Sequence, residues 1–198
     1  MPDAPVLPDS APFNSAQRAW LNGMIAALYP AQPPVHSNIE SPISNTPPLP
    51  ITILFGSQTG TTESLAKKAA KAAKNHNLTP KVIDLADYEP ANLAKESHLL
   101  ILTSTYGDGE PPDSAKAFYD HLHSSSAASL ESIAYSVLGL GDSGYPDFNQ
   151  CAKDIDSRLA ALGATRITDP VFCDVDYDSD AANWQTACFT SLSTTRTS

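Results

Sequence analysis

The chain has 198 residues, 41% of them hydrophobic, which is enough to build a core and argues against a chain that stays unfolded. Its 12 Lys and Arg residues stand against 22 Asp and Glu, a net charge of -10; this excludes the basic surface that nucleic acid selects and favours a partner with a positive face. Cys151, Cys173 and Cys188 form neither a CxxC pair nor a disulfide framework, no apolar run reaches the length of a bilayer span, and the start Met1-Pro2-Asp3-Ala4-Pro5 has no signal-peptide pattern, so the cytoplasm is the expected compartment.

In chain order, residues 14–28 predict a short amphipathic helix: Asn14 and Gln17 offer a capping box, and Trp20, Leu21, Met24, Ile25 and Leu28 recur at helical spacing. Residues 29–50 then carry Pro30, Pro33, Pro34, Pro42, Pro47, Pro48 and Pro50 among Ser and Asn, the composition of an extended linker. The expected organisation is therefore an N-terminal segment over 1–28, a linker over 29–50 and a main domain over 51–198.

Within that domain, short apolar runs predict strands at 51–55, 81–85, 98–103, 133–138 and 166–171. Helices are expected at 62–75, 113–121, 148–162 and 180–192. This alternation predicts an α/β fold with a doubly wound, five-stranded parallel sheet in the order 2-1-3-4-5. Such sheets bind ligands beyond the carboxyl ends of their strands, where the winding reverses between the first and third strands.

Three loops at that end carry the chemistry. Gly56-Ser57-Gln58-Thr59-Gly60-Thr61-Thr62 leaves the first strand and opens a helix, so glycines let the backbone curl while helix-start amides and hydroxyls supply donors. It lacks the Lys of a nucleoside-triphosphate loop, and its neutral donors suit a monophosphate. Ser104-Thr105-Tyr106-Gly107 follows the third strand, and Leu140-Gly141-Asp142-Ser143-Gly144-Tyr145-Pro146-Asp147-Phe148-Asn149 follows the fourth. Each presents one aromatic ring among glycines, and two rings at one sheet end suit a flat ligand stacked between them. The G-x-G-x-x-G spacing of residues 139–144 is weighed against NAD binding, since Asp142 brings negative charge to the place of a pyrophosphate. The Gly-Asp-Ser-Gly in the same stretch has no His placed as a base. No catalytic or metal-ligating set is expected, the pair His121 and His123 reading as a solvated helix end.

SQTGTTE, STYGDGEPPD and LGLGDSGYPDFNQ together resemble the three FMN-binding loops of the flavodoxin-like domain of diflavin reductases, over roughly residues 51–192. The leading PFNSAQRAWLNGMIAAL is similar to the start of bacterial sulfite-reductase-type flavoproteins in that family. The resemblance implies that Ser57 to Thr62 bind the FMN phosphate, that Ser104, Thr105 and Gly107 border the ring, and that Tyr106 and Tyr145 stack on its faces. It also implies that residues 140–149 belong to the cofactor site, with the Gly141-Asp142 stretch lining the ring and Asn149 supporting the loop, and that Asp174 lies near the flavin. Gly107 is expected to offer its carbonyl to the flavin N5–H. Implied partners are an FAD- and NADPH-binding reductase module, which residues 1–198 do not contain, and a basic, metal-centred acceptor such as a sulfite reductase hemoprotein. Asp108, Glu110, Asp113, Asp142, Asp147, Asp174, Asp176, Asp178 and Asp180 are expected to form the docking rim, and the N-terminal helix to mediate oligomerisation. The alternatives are a free-standing flavodoxin-type carrier and a flavodoxin-shaped interaction module without FMN.

Overall fold

The computed structural model describes Phe13, Gln17, Arg18, Trp20, Leu21, Met24 and residues 47–194, and the chain divides into two units, Met1–Thr46 and Pro47–Ser198. In the first unit Gln17, Arg18, Trp20, Leu21 and Met24 are helical, and Arg18 donates from its guanidinium to the Phe13 carbonyl at 3.3 Å. Trp20 and Met24 are exposed. Asn14, Ile25, Leu28 and residues 29–46 of the expected 29–50 linker lie outside the described residues, while Leu49 and Pro50 at its end already belong to the first strand.

The second unit runs β1 (Leu49–Gly56), α1 (Thr61–Ala73), β2 (Leu78–Asp84), β3 (His98–Ser104), α2 (Lys116–His123), β4 (Ala134–Leu140), α3 (Gln150–Ala161), β5 (Thr165–Arg166), β6 (Val171–Cys173) and α4 (Asp178–Thr194). All pairings are parallel in the order β2-β1-β3-β4-β5, with β6 also on β4, which is the expected doubly wound sheet. Its inner strands β1, β3 and β4 are nearly continuous buried runs because both faces are covered. Ile51, Ile53, Phe55, Leu100 and Leu102 face α1 and α4, where Leu65, Ala69, Trp184 and Phe189 are buried. The alternate residues Leu54, Leu99, Ile101, Tyr135 and Val137 face α2 and α3, against Phe118, Leu122, Ile155 and Leu159. No helix among the described residues is long and apolar enough to cross a membrane.

Four expectations need correction. The fifth strand is not continuous over 166–171: it pairs with β4 as β5, leaves, and returns as β6. Between the Tyr135–Arg166 and Leu138–Val171 pairs the fifth strand takes five steps against three on β4, so two residues loop out. The loop contains Pro170, which has no amide for the ladder, and its Thr168 carbonyl accepts from the Ser136 hydroxyl at 3.2 Å instead. β2 begins at Leu78 rather than residue 81, and Pro80 is tolerated there because β2 is an edge strand paired to β1 alone. The 113–121 helix opens as a 3-10 turn over Asp113–Ala115 before α2. The 148–162 helix starts only at Gln150, because Asn149 sits at φ 56°, outside the right-handed helical region.

Close contact between β4 and α3 sets where the ligand-facing loops can go. A Cβ on Gly139 would lie 2.4 Å from Asn149 Oδ1 and 2.6 Å from the Ala152 Cβ, so only a glycine lets the helix approach this far. Gly139→Ala is expected to cost about 1–3 kcal/mol by forcing α3 outward. Urea unfolding measures it, and an unchanged midpoint would mean that the contact relaxes freely.

Candidate functional site

The loop after β1 is a curl built by its own donors. Ser57 Oγ accepts the Gly60 amide at 2.8 Å, and the Thr59 and Thr61 hydroxyls pair at 3.1 Å. Gly60 sits at φ 86° with nothing within 4 Å of where a Cβ would be. No side chain caps α1, so the amides of its first turn face the loop without a partner from the chain. The Thr62 hydroxyl is not one of the free donors: it is buried and donates to the Gly56 carbonyl at 2.8 Å. Only its backbone is left to serve a ligand.

The loop after β3 turns tightly. Tyr106 and Glu110 exchange backbone hydrogen bonds at 2.9 and 2.8 Å, with Gly107 at φ 52° and Gly109 at φ 92° inside the turn. Tyr106 is 56% exposed. Behind it, Ser104 Oγ and Thr105 Oγ1 are buried with no hydrogen-bond partner in the protein. Buried hydroxyls are normally satisfied, so two adjacent orphans beside a cleft point to a polar ligand.

The loop after β4 folds over the neighbouring end. Asp142 accepts the Gly144 amide on its side chain at 2.8 Å and the Tyr145 amide on its carbonyl at 3.1 Å, a turn that leaves Tyr145 63% exposed. Asn149 is fully buried and donates from Nδ2 to the Cys173 carbonyl at 2.9 Å, while Oδ1 has no partner. The Cys173 carbonyl also accepts the Gly141 amide at 3.0 Å. Beyond β6, Asp174 accepts the Ser143 amide at 3.0 Å, the Ser143 hydroxyl and the Val175 amide at 2.8 Å. These donors, the Ser143 hydroxyl foremost, hold its carboxyl below the usual Asp range.

Together the loops enclose two contiguous hollows. One, about 330 Å³, is lined by Ser57, Gln58, Thr59, Thr61, Thr62, Ser104, Leu140 and Asp174; the other, about 440 Å³, by Gly107, Asp142, Tyr145, Asp147, Phe148 and Asn149. Thr105, Tyr106 and Gly141 line both, so a ligand that crosses from one to the other passes Tyr106. Of the expected residues, Gly60, Ser143, Gly144 and Pro146 line neither hollow and shape their loops instead. Val175 and Tyr177 line the first hollow and were not expected; the available signal was an apolar residue and an aromatic alternating with Asp174, Asp176 and Asp178 just after a strand. Asp108, Glu110, Asp142, Asp147 and Asp176 stand exposed on these same loops. A separate hollow of about 180 Å³ between α1 and α4, lined by Leu65, Leu102, Leu138 and Trp184 with Lys68, Asp178 and Gln185, shares no lining residue with these two.

Residues 53–188 match the flavodoxin family. Over 177 residues the chain is 40% identical to the sulfite reductase [NADPH] flavoprotein alpha-component of Bacillus subtilis (strain 168), a match covering 87% of this chain and 29% of that protein. It is 41% identical over 173 residues to the protein of the same name from Vibrio vulnificus (strain CMCP6), covering 85% of this chain and 28% of the other. The chain thus spans less than a third of the length of the curated relatives it matches. Among solved structures, a Streptococcus pneumonia TIGR4 flavodoxin superposes with a TM-score of 0.66 at 26% identity, covering 74% of this chain and 99% of that one. A short-chain flavodoxin associated with a PDU bacterial microcompartment gives 0.65 at 25% identity, covering 74% and 98%.

Because the folded-state pKa of Asp174 is depressed, the stability its hydrogen bonds lend is present above the unfolded-state Asp value and is lost as pH falls through the lower folded-state one. Carboxyl NMR is expected to show Asp174 titrating below ordinary Asp residues, and to show that titration moving upward in Ser143→Ala. No upward movement would mean that the hydroxyl is not its main partner.

Proposed function

The chain belongs to the flavodoxin family, and from that premise we propose that it is an FMN-binding electron-transfer domain. The observation that carries the reading is the cleft with two exposed tyrosines, continuous with an uncapped helix start that offers only uncharged donors. The residues fit the group: the orphaned Ser104 and Thr105 hydroxyls provide polar partners for a heteroaromatic ring, and the curl from Ser57 to Thr62 suits one phosphate.

When bound, FMN supplies the redox chemistry by taking up and releasing electrons one at a time. The chain's residues hold and orient it. The first-turn amides of α1 and the hydroxyls of Ser57, Thr59 and Thr61 take the phosphate, while Tyr106 and Tyr145 take the two ring faces and exclude water from them. Gly107, with open space in place of a side chain, is free to turn its carbonyl toward a protonated ring nitrogen at little steric cost. The exposed carboxylates of the loops after β3, β4 and β6 would place negative charge near the ring, which would disfavour an extra electron there and lower the potential.

The wider setting is part of the same proposal. The alpha-component relatives support a role in which an FAD- and NADPH-binding reductase module delivers electrons and a basic metal-centred protein, such as a sulfite reductase hemoprotein, receives them. The acidic loops are the docking rim for both, since complementary charge steers encounter and orients it. The cytoplasm is the proposed compartment, in keeping with three buried free cysteines. Oligomerisation through the N-terminal helix is supported by the exposed Trp20 and Met24.

Titration with FMN is expected to give saturable one-to-one binding with quenched flavin fluorescence. Tyr106→Ala and Tyr145→Ala should each weaken binding by about 10- to 100-fold, the scale of losing one stacking partner. Full affinity in both variants would remove the stacking cleft from the account. In stopped-flow measurements, the electron-transfer rate to a basic haem protein should fall as salt rises. A rate indifferent to salt would contradict the docking rim.

A further inference from the structure

The Tyr145 loop is exposed from Asp142 to Asp147, yet it must present a ring to the cleft at a fixed place. Its internal bonds, from the Gly144 and Tyr145 amides to Asp142, shape the turn without attaching it to the sheet. At its far end the Gln150 amide meets the Asp147 carbonyl, which is again local. Among the described residues, the hydrogen bonds that tie residues 142–147 to another strand's end are the two from Ser143, amide and hydroxyl, to the Asp174 carboxylate, 31 residues on. Asp174 is itself fixed, because it directly follows β6 and takes the Val175 amide on the same oxygen that receives the Ser143 amide.

We propose that Asp174 is a positioning residue: its carboxylate anchors the 142–147 loop through Ser143 and thereby holds Tyr145 against the cleft, rather than acting on the ring through its charge. The proposal rests on the FMN reading for its consequence, but the anchor itself is a property of the ligand-free chain. The geometry separates the two roles. A carboxylate acting by charge needs no particular neighbour, whereas an anchor needs its acceptor oxygens and the Ser143 hydroxyl. Asp174→Asn keeps an acceptor oxygen for the two amides and removes the charge, while Asp174→Ala removes both.

The test has two arms. In the ligand-free chain, hydrogen exchange at the Ser143 amide should be slow and should speed up at least about tenfold in Asp174→Ala, with the β4 amides still protected. Equal Ser143 exchange in the two proteins would overturn the anchor. If Asp174→Ala also loses β4 protection, Ser143→Ala, which deletes one hydroxyl, decides: faster exchange at residues 144 and 145 supports the anchor and unchanged exchange overturns it. In the second arm, Asp174→Ala should weaken FMN binding about tenfold and raise the fluorescence of the bound flavin, and Asp174→Asn should recover most of both losses. The double variant Ser143→Ala/Asp174→Ala should bind no worse than Asp174→Ala alone. Asn and Ala equally weak, with the same shift of midpoint potential and additive loss in the double variant, would assign Asp174 a charge role and overturn the proposal. Failure of the unaltered chain to bind FMN would sink the functional reading alone, because the exchange arm still decides the anchor.

Discussion

Asn149 occupies the space that two glycines leave empty. Its Oδ1 lies 2.4 Å from where a Cβ on Gly139 would be, its backbone nitrogen lies 3.1 Å from where a Cβ on Gly141 would be, and its Nδ2 is bonded to the Cys173 carbonyl. One buried amide therefore joins the end of β4, the start of α3 and the end of β6. Leaving its Nδ2 unpaired at this buried position would be costly, so the bond to Cys173 holds the start of α3 to the end of β6 even though Oδ1 has no partner. The Tyr145 loop leaves from and returns to this junction, and Gly109 brings the neighbouring turn against it, since a Cβ there would lie 2.9 Å from the Asp147 Cβ. The spacing of the two tyrosines follows from these contacts.

Much of this was legible in the residues. Runs such as Ile51 to Phe55 and Leu99 to Leu102 are apolar at every step or nearly so, which is the mark of strands covered on both faces, and the intervening helical periodicities fix the winding. The expected place of a ligand, between the first and third strands, follows from the winding. What escaped was set by tertiary contacts. The break in the fifth strand depends on where Thr168 and Pro170 fall against Ser136, and the late start of α3 depends on Asn149 adopting a left-handed backbone to reach Cys173. The Thr62 hydroxyl resembles a ligand donor in sequence but is captured by the Gly56 carbonyl once the helix forms. Val175 and Tyr177 were missed because a loop of alternating Asp residues reads as solvated.

Polar groups are divided between the fold and the ligand. Tyr135, Asp156 and Arg166 satisfy one another at the β5 end of the sheet, with the Arg166 guanidinium reaching both Asp156 oxygens at 2.9 and 2.6 Å. Trp184 donates to the Ser136 hydroxyl at 2.8 Å beneath α4. At the carboxyl end, by contrast, Ser104, Thr105 and the first turn of α1 hold donors in reserve. Of the four buried side-chain atoms without a partner among the described residues, those of Ser104, Thr105 and Asn149 lie at this end, while His98 Nδ1 lies at the start of β3. Exposed carboxylates stand on the ligand-facing loops at Asp108, Glu110, Asp142, Asp147 and Asp176, and elsewhere at Asp120, Glu131 and Asp169. A domain built this way holds a small cofactor near its surface and presents it to partners, which suits electron transfer better than chemistry on a buried substrate.

The most direct test of the central claim is a stepwise anaerobic reduction of the FMN-loaded chain followed by absorbance. The account predicts that flavin stays bound throughout and that reduction proceeds in two separable one-electron steps, with a long-wavelength band rising and then falling. Release of the flavin on washing, or a single two-electron step with no such band, would contradict it.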